Sequence, residues 1–587
     1  MKNDMYELPV APFVILAVLC AVGITIFLLT KLKGFGTLSS IQSKQTGHGQ
    51  YGSARFAKKS EIRKIYSVIP FTPEAWRTDP STRPRLSGII TGARFRGKKV
   101  RAYVDTGDVH ALMIGAAGTG KTAYWLYPNL ELACASGASF ITTDTKGDLA
   151  RAYAEIARKY YGYEISIIDL RNPQRSDGNN LLTLVNNYTD RYQKTKDPGD
   201  ISRAETYAKI ISKTIIMGGA DSSAYGQNAY FYDASEGVLT ASILLVSMFG
   251  QPGTRHIVSV YKLMQQLLEP ADQTNGMNRF QELMTHLPDD HKIKWFAGAA
   301  LSGSEQTIGS VMSTALSRLS KFLDSEMENI LCRDGNMNAE LMERRKCAMF
   351  IIMPEEDNSR YFMVSLLIQQ LYRELLMLAD RHGGRLSKRV MFFCDEFGTL
   401  PQISSAEMMF SASRSRGITL VPIIQSFAQL EKNHGREGAE IIVDNIQLTI
   451  FGGLAPHSSS TEKLSRSLGS QTVQSGTVNK GEKQGSMSLS MISRPLLTTD
   501  ELLRLDKGTF VVEKTGQLPI LTNFKLYKNW GITLGKSMKV SSHTEPVIYA
   551  DYTDIRKQVL KCYDPFEDYN KSVHHGFPKK HTGWTNK

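Results

Sequence analysis

The fold is decided by residues 111–130, ALMIGAAGTGKTAYWLYPNL. An apolar run leads into a glycine-rich turn, which is followed by Lys121 and Thr122 and then by a further apolar stretch. Residues 115–122 match the P-loop pattern G-x-x-x-x-G-K-S/T at every fixed position, and the flanks suit the strand and the helix that the pattern requires. A chance match is the alternative. The stretch predicts a phosphate-binding loop in an α/β domain.

The chemistry of a P-loop assigns a task to each part of this stretch. Glycines let consecutive backbone N–H groups turn toward phosphate oxygens, and the following helix adds the positive end of its dipole. Lys121 is expected to neutralise charge on the β- and γ-phosphates, and Thr122 to place its hydroxyl on Mg²⁺. ATP with Mg²⁺ is therefore the predicted cofactor. The predicted binding residues are Gly115, Ala116, Ala117, Gly118, Thr119, Gly120, Lys121 and Thr122.

A P-loop needs a second, acidic element, and residues 390–398, VMFFCDEFG, supply a candidate. The apolar run is typical of a buried strand, and it is followed by Asp395 and Glu396. Asp395 is expected to hold the Mg²⁺ shell, and Glu396 is expected to polarise the attacking water as the base of hydrolysis. Two acids in an ordinary turn are the alternative. The consecutive pair favours ATP hydrolysis over kinase or GTPase chemistry.

Three polar side chains near the next apolar run are candidates for further catalytic roles. Arg414 and Arg416, in SASRSRG, could reach the nucleotide of a neighbouring subunit, where a cation stabilises phosphoryl transfer. Gln425 follows the run GITLVPII, where an amide could sense the γ-phosphate. Taken alone, the two arginines are equally well explained as solvated surface groups, and Gln425 is better explained as a polar loop residue.

The first 33 residues predict a membrane anchor. Leu8 to Thr30 is an uncharged run, long enough for one helical pass through about 30 Å of hydrocarbon. The alternatives are a buried core helix and a signal peptide, of which the second is disfavoured by the length of the run and the lack of a cleavage site; no other segment is expected to span. Lys31 and Lys33 follow the run, whereas Lys2 is offset by two acids. We expect a single-pass protein of the inner (cytoplasmic) membrane, with the bulk of the chain in the cytoplasm.

Composition places few further limits on function. The formal net charge of +13 suits nucleic acid or anionic lipid as a neighbour. The six cysteines show no zinc-ligand spacing and predict buried thiols in a reducing compartment. Neither a zinc site nor a catalytic thiol is therefore expected.

Apolar patterns divide the remaining chain. Strand and helix patterns alternate around the P-loop and again after residue 341, in the βαβ manner of a mostly parallel sheet. Between them, stretches such as ISRAETYAKIISKTIIMG repeat apolar residues at helical steps. Gly469 to Ser490 predicts a flexible surface loop, and the basic stretch beyond Asp568 predicts a disordered tail. The expected divisions are an anchor (1–33), a membrane-proximal connector (34–84), a nucleotide-binding domain (85–189 and 341–552), an inserted all-helical domain (190–340) and a basic tail (553–587).

Taken in order, these motifs resemble those of type IV coupling proteins, the TraG/TraD-like membrane ATPases of conjugation and type IV secretion. The resemblance rests on YGSARFA, GAAGTGKT, LYPNL, TDTKGDL, VMFFCDEFGTLP, SRSRGITLVPIIQSFAQL and RPLLTTDELLRL, and it covers most of the chain after the anchor. It implies a RecA-like nucleotide-binding domain with an inserted all-helical domain, assembled as a homo-hexamer below the inner membrane. It also implies that Arg414 is an arginine finger acting in trans and that Gln425 couples the nucleotide state to motion.

The resemblance implies partners as well. A DNA-stimulated ATPase of this kind would recruit single-stranded DNA with bound relaxase, helped by the helical domain, and feed it to type IV secretion channel components during conjugation. Two departures are visible: relatives commonly have two transmembrane helices, and they commonly have Asp-Pro-Lys-Gly where residues 144–147 read DTKG. The alternatives are an ATP-switched docking receptor for secreted protein substrates without motor activity, and a double-stranded DNA translocase of the chromosome-partitioning type.

Overall fold

The computed structural model describes residues 44–45, 49–217, 226, 229–271, 276–335, 337–355, 359–401, 403, 406–479, 486–538, 540 and 545–563. The predicted anchor, Leu8 to Thr30, and the predicted tail beyond Asp568 lie outside these residues. The described residues form two compact units. The smaller unit combines the described residues up to Ala57 with Ser459–Arg504, and the larger unit combines residues 58–458 with the described residues from Leu505 onward.

The strands of the described residues are short, as is usual for globular proteins. They are β1 (Lys44–Gln45), β2 (Ser67–Pro70), β3 (Ile89–Arg96), β4 (Lys99–Asp105), β5 (Ala111–Ile114), β6 (Ser139–Asp144), β7 (Glu164–Asp169), β8 (Cys347–Ile352), β9 (Val390–Cys394), β10 (Ile418–Ile424), β11 (Leu448–Phe451), β12 (Ser470–Asn479), β13 (Ser486–Pro495), β14 (Thr509–Lys514) and β15 (Ile520–Asn523).

The α-helices alternate with strands except in one long stretch between β7 and β8. They are α1 (Lys59–Ile65), α2 (Pro73–Thr78), α3 (Tyr127–Ser136), α4 (Asp148–Tyr161), α5 (Thr183–Thr195), α6 (Pro198–Met217), α7 (Ala229–Phe249), α8 (Ile257–Leu267), α9 (Arg279–Thr285), α10 (Lys292–Leu301), α11 (Glu305–Leu319), α12 (Glu328–Leu331), α13 (Ala339–Arg344), α14 (Tyr361–Arg381), α15 (Ala406–Ala412), α16 (Phe427–Asp444), α17 (Ser460–Ser467), α18 (Thr499–Leu503) and α19 (Tyr552–Tyr563).

The larger unit is built on a mixed sheet whose nine described strands run in the order β15-β14-β11-β5-β10-β9-β6-β8-β7. The strands from β11 to β7 pair in parallel, and β14 and β15 extend the sheet by antiparallel pairing. Every residue of β8, β9 and β10 is buried, as expected for parallel strands covered on both faces. The predicted α/β fold with a mostly parallel sheet is confirmed.

Helices α5–α13 lie between two strands that are neighbours in the sheet. β7 and β8 pair in parallel from Glu164 and Cys347 onward, so the helical stretch leaves and rejoins the sheet at the same edge. At the centre of this stretch, α7 is buried along most of its second half, including Val238, Leu239 and residues 241–247. A helix that is apolar on nearly every side is expected in the middle of a helical core.

One helix of the described residues is long and apolar enough to cross a membrane by length and composition. This helix, α14, has a mean hydropathy of 1.3 over its most apolar window, and 78% of that window is buried inside the protein. The helix begins at Tyr361 and ends at Arg381. This burial is that of a core helix.

The expectation of a flexible loop from Gly469 to Ser490 is wrong. Strands β12 and β13 form an antiparallel hairpin in the smaller unit, in a register that runs from Ser470 opposite Pro495 to Asn479 opposite Ser486. The buried hydroxyl of Thr472 accepts from the Tyr51 N–H and donates to the Gly52 carbonyl, at 3.0 Å in both cases. The Gly/Ser-rich composition suggested a loop, whereas the interspersed Thr and Val residues provide β propensity.

The predicted connector and the predicted basic tail both contain regular secondary structure. Within the predicted connector, β2 pairs with β4 in a three-stranded antiparallel sheet of the larger unit. At the other end, α19 crosses into the segment assigned to the basic tail, and its Ile555, Val559 and Leu560 are buried. Buried apolar side chains at these spacings are those of a docked amphipathic helix.

Candidate nucleotide-binding site

The P-loop begins where β5 ends, and neighbouring strands hold its first residues. Gly115 donates its N–H to the Ile424 carbonyl at the end of β10 (3.2 Å), and Ala116 donates to the Gly453 carbonyl beyond β11 (3.0 Å). A Cβ atom on Gly115 would lie 2.7 Å from the carbonyl oxygen of Gly452, so the loop passes too close to its neighbour for any side chain. The carboxyl ends of three adjacent parallel strands therefore fix the start of the loop.

The loop closes through glycines with left-handed backbone. Gly118 has φ 74° and Gly120 has φ 89°, values that L side chains rarely adopt. The chain then enters a wide π turn, Lys121–Leu126, in which Tyr127 donates its N–H to the Thr122 carbonyl. A π turn of this kind is uncommon and is often found at functional sites. The sequence pattern predicted a helix here and gave no sign of the wider turn.

Lys121 lies inside the loop that it follows. Its ammonium group donates to the carbonyls of Gly115 (2.7 Å) and Ala116 (3.2 Å), and the residue is only 8% exposed. Burial lowers the Lys121 pKa, and the carboxylates of Glu396 and Asp395 oppose that shift. A buried cation held by two neutral carbonyls is available to an anionic ligand, because a phosphate is a far stronger partner.

A pocket of about 340 Å³ brings together most of the predicted residues. It is lined by Ala117, Gly118, Gly120, Lys121, Thr122, Ala123, Tyr127, Asp144, Thr145, Lys146, Asp148, Leu149, Asp395 and Glu396. Thr122 and Asp395, the two predicted Mg²⁺ ligands, are both in its wall. A hydroxyl and a carboxylate are ligands that suit Mg²⁺, which usually keeps several waters and takes few protein ligands.

Asp395 is anchored from the adjacent strand. The Thr143 hydroxyl, on β6, donates to the Asp395 carbonyl at 2.6 Å, and the Asp395 carboxylate accepts from the Glu396 N–H at 3.1 Å. Burial and the neighbouring Glu396 raise the Asp395 pKa to about 7, while Lys121 opposes the shift. A buried carboxylate beside another is the arrangement that a divalent cation stabilises in its charged form.

Glu396 and Gln425 meet although they are 29 residues apart. The Gln425 side-chain nitrogen lies 3.2 Å from Oε1 and 3.0 Å from Oε2 of Glu396, and the Gln425 N–H is held by Gln429 at 3.0 Å. Glu396 itself has φ 53°, a left-handed backbone that is uncommon for a residue other than glycine. The two predicted residues therefore form one hydrogen-bonded pair at the edge of the pocket.

Asp144 is a pocket residue to which the sequence analysis gave no role. Its carboxylate accepts from the N–H groups of Lys146, Leu149 and Ala150 at 3.1, 2.7 and 3.3 Å, which orders the start of α4. Burial raises its pKa, and those backbone donors oppose the shift. The motif TDTKGDL contains the signal, an acid followed by a glycine turn, but the pattern alone does not say that this turn lines the phosphate pocket.

The structure does not bring Arg414 and Arg416 to this pocket. Both lie in a short turn before β10, at the amino end of the strand whose carboxyl end meets the P-loop. Seven residues of strand separate the two ends, roughly 20 Å at about 3.3 Å per residue. Arg416 forms an ion pair with Asp380, whereas Arg414 is exposed. Within one chain, neither arginine is near the Glu396 carboxylate.

The described residues hold no cluster of three or more His, Cys, Asp and Glu side chains that suits a metal ion. Burial raises the pKa of the Cys394 thiol to about 12, so this residue is protonated at neutral pH despite its place beside Asp395.

Comparison with known proteins identifies the family. Residues 78–547 match the model of the family described as type IV secretory system conjugative DNA transfer. The conjugal transfer protein TraG of Escherichia coli is 24% identical over 503 residues, which cover 81% of this chain and 74% of TraG. The type IV secretion system-coupling protein VirD4 of Bartonella quintana is 20% identical over 531 residues, which cover 88% of this chain and 78% of VirD4.

Solved structures of the conjugative coupling protein TrwB share the fold. The unbound form of TrwB has a TM-score of 0.51 at 16% identity and covers 86% of this chain and 100% of its own. TrwB in complex with ADPNP has a TM-score of 0.52 at 14% identity, covering 84% of this chain and 100% of its own, and TrwB was also solved with ADP and Mg²⁺. The predicted RecA-like fold is thereby confirmed. Because the family model matches most of this chain, the chain belongs to the type IV secretory system conjugative DNA transfer family and is a relative of the type IV coupling proteins.

Proposed function

We propose that this protein is an inner-membrane ATPase that recruits relaxase-bound single-stranded DNA and feeds it to a type IV secretion channel during conjugation. The observation that carries the proposal is the pocket in which the P-loop faces Asp395 and Glu396, in a chain of a DNA transfer family. ATP supplies the phosphoanhydride bond, and Mg²⁺ supplies positive charge at the phosphates.

The residues present fit ATP and Mg²⁺. Lys121 would exchange its two carbonyl partners for phosphate oxygens, and backbone N–H groups of the loop that are not donated to neighbouring strands would bind the phosphates. Thr122 and Asp395 supply the protein oxygens for the cation. The solved complexes of TrwB with ADPNP and with ADP and Mg²⁺ support this assignment through the shared fold.

Glu396 is proposed as the base. Its carboxylate takes a proton from the attacking water, and its left-handed backbone is a strained conformation of the kind that is found at active sites. Gln425 donates to that carboxylate from the end of β10, beside the P-loop. An amide shared between the base and the γ-phosphate would link the state of the nucleotide to the position of β10.

Arg414 is proposed as an arginine finger that acts on the nucleotide of a neighbouring subunit in a homo-hexamer. Its distance from the pocket of its own chain supports a role in trans, since a strand length separates them. A guanidinium group there would stabilise charge that develops during phosphoryl transfer. The single-pass anchor and the net charge of +13 suit a membrane-bound ring that passes DNA, with the helical stretch helping to select the substrate.

The test is the ATPase rate of the purified full chain in detergent, measured against protein concentration with and without single-stranded DNA. An assembling motor predicts a cooperative rise that DNA strengthens, and the Lys121→Ala variant predicts no activity. A low rate that is indifferent to DNA and to protein concentration, from folded protein that retains ATP binding, would replace the motor with an ATP-switched docking receptor for secreted proteins.

A further inference from the structure

The turn that carries Arg414 is held by two groups outside the pocket. Ser413, directly before Arg414, is buried, and its hydroxyl donates to the Met409 carbonyl at 2.5 Å. Arg414 itself is exposed. A long exposed side chain reaches a defined point in space only if the backbone beneath it is fixed, so the contacts around Ser413 decide where the guanidinium group can go.

His110 supplies the first of these contacts. Its ring is fully buried, and Nδ1 accepts the Leu420 N–H at 3.0 Å. This N–H belongs to the part of β10 that has no strand partner on the β5 side, because the pairing of β10 with β5 begins at Ile423. With Nδ1 accepting, the proton sits on Nε2, which lies 3.3 Å from the Ser413 hydroxyl.

Neutral His110 thus ties the residue before Arg414 to the backbone of β10. Burial lowers the His110 pKa to about 4, a hydrogen bond to the backbone of Phe410 opposes the shift, and the nearby charge of Arg414 adds to it. The imidazole is therefore uncharged at neutral pH. Its two nitrogens have complementary roles, one accepting from β10 and one donating to the turn, so the two segments are held in a fixed relation.

Asp108 acts on the other end of the turn through Arg385, whose neighbour Leu386 donates its N–H to the Arg416 carbonyl at 3.0 Å. Asp108 pairs with both guanidinium nitrogens of Arg385 at 2.7 and 2.8 Å, and Arg389 approaches it to 3.2 Å. The hydrogen bonds from Arg385 hold the Asp108 pKa below its usual range, and the charges of Arg389 and Arg414 contribute to the same effect. One carboxylate therefore pairs with two guanidinium groups, and its loss would leave Arg385 and Arg389 to repel one another.

We propose that His110 and Asp108 are positioning residues for Arg414, with His110 fixing the start of its turn and Asp108 holding, through Arg385, the segment that hydrogen-bonds the end of the turn. The inference rests on the proposed role of Arg414 as a finger in trans. Neither residue lines the nucleotide pocket. Their loss should therefore weaken catalysis in the neighbouring subunit while the pocket of the altered subunit stays intact, and misplacement of a catalytic group by about 1 Å can cost about 100-fold.

Mixed oligomers test this inference. The variants are His110→Ala, the milder His110→Asn, which keeps one acceptor and one donor, and Asp108→Asn. We expect each to bind ATP within about twofold of the unaltered protein, with turnover reduced at least about tenfold for His110→Ala and Asp108→Asn. Mixing His110→Ala or Asp108→Asn protein with an equal amount of Lys121→Ala protein should restore part of the activity. Random mixing in a ring gives about one site in four both an intact pocket and an intact finger.

Matched controls separate positioning from general damage. Asp190→Asn breaks another two-pronged aspartate–arginine pair, with Arg255 at 2.5 and 2.9 Å, and His256→Ala removes another buried histidine that accepts a backbone N–H. Both controls should keep their turnover in assembled protein. Wild-type turnover in folded His110→Ala and Asp108→Asn proteins would overturn the inference, as would a loss that Lys121→Ala subunits fail to restore.

The Arg414→Ala variant distinguishes failure of the inference from failure of the proposed function. If Arg414→Ala loses turnover and is rescued by mixing, whereas the His110 and Asp108 variants are not, the finger stands and the positioning role falls. If Arg414→Ala assembles and keeps its turnover, the finger itself falls and the inference falls with it. Light scattering on each variant establishes that assembly is intact before the rates are compared.

Discussion

Glu396 is the residue on which the proposed hydrolysis depends most directly. A Glu396→Gln substitution keeps the size of the side chain but removes its ability to take a proton from water. We expect ATP affinity to be unchanged and turnover to fall by about 100-fold or more. Binding of a fluorescent nucleotide and release of phosphate measure the two effects separately. Glu155→Gln serves as the control, because Glu155 is a partly exposed member of an ion pair on α4. Unimpaired turnover in Glu396→Gln would refute the role of Glu396 as base.

Gln425 gives a second prediction at the same scale. Gln425→Glu replaces a donor by a second carboxylate at the 3.0–3.2 Å now spanned by a hydrogen bond to Glu396. Two carboxylates this close cannot both ionise easily, so the pKa of the pair rises. Because the base must be unprotonated, the acid limb of the kcat–pH profile should move up by about one unit or more. Gln425→Ala removes the donor but adds no charge, so it should move that limb by less, and identical profiles for the two variants would contradict the contact.

At the scale of elements, strand order decides which predicted residues meet. Local patterns predict the end of each strand, and so the P-loop, Asp395 and Gln425 could be found from the sequence. That β5, β10 and β9 are neighbours is a property of the whole sheet, so the hydrogen bond between Gln425 and Glu396 could not be found. The pocket forms because the carboxyl ends of parallel strands share one edge.

The elements that the sequence analysis missed have physical reasons of their own. Strand β12 of the hairpin also pairs with β1, which is far away in the sequence, and this partner has no local signal, so the Gly/Ser composition alone resembled a loop. The π turn after Gly120 depends on a hydrogen bond between Tyr127 and Thr122 that has no side-chain signature. His110 is a single histidine just before β5. Only the position of β10 shows that its ring takes the place of a strand partner, by accepting the Leu420 N–H.

Helix α14 carries a buried acid whose charge can be tested. Glu374 is 3% exposed, and burial raises its pKa to about 8, although Gln370 donates to it at 2.9 Å. A carboxyl whose folded pKa is raised is most favourable below its unfolded pKa near 4.5, and stability is lost as pH rises from 4.5 to 8. Glu374→Gln should remove this loss. The free energy of unfolding of the variant, relative to that of the unaltered protein, should therefore rise by roughly 2–3 kcal/mol between pH 5.5 and pH 7.5. Urea unfolding at both pH values measures the difference, and a gain that does not depend on pH would contradict the assignment.

At the scale of the whole molecule, the helical stretch is tied to the rest of the larger unit at more than one point. It leaves and rejoins the sheet between β7 and β8, and the chain beyond β15 returns to it. Ala550 donates its N–H to the Ser259 hydroxyl at 3.0 Å, and His256 hydrogen-bonds the Ile548 carbonyl at 2.9 Å. A change transmitted through the sheet can therefore reach the helices from the C-terminal side as well as from β7 and β8.

Helix α19 is the part of this connection that can be removed cleanly. Tyr552 hydrogen-bonds Glu282, Arg556 pairs with the same carboxylate at 2.8 Å, and Ile555 is fully buried. Ending the chain after Asp551 removes these contacts and exposes apolar surface on α7 and α8, so local opening there should become easier. Amide hydrogen exchange in residues 256–285 should accelerate by about tenfold or more, which corresponds to about 1.4 kcal/mol of lost local stability. A chain that ends after Tyr563 keeps α19 and should exchange as the full chain does, and equal exchange in the two truncated chains would mean that α19 does not hold the helical stretch.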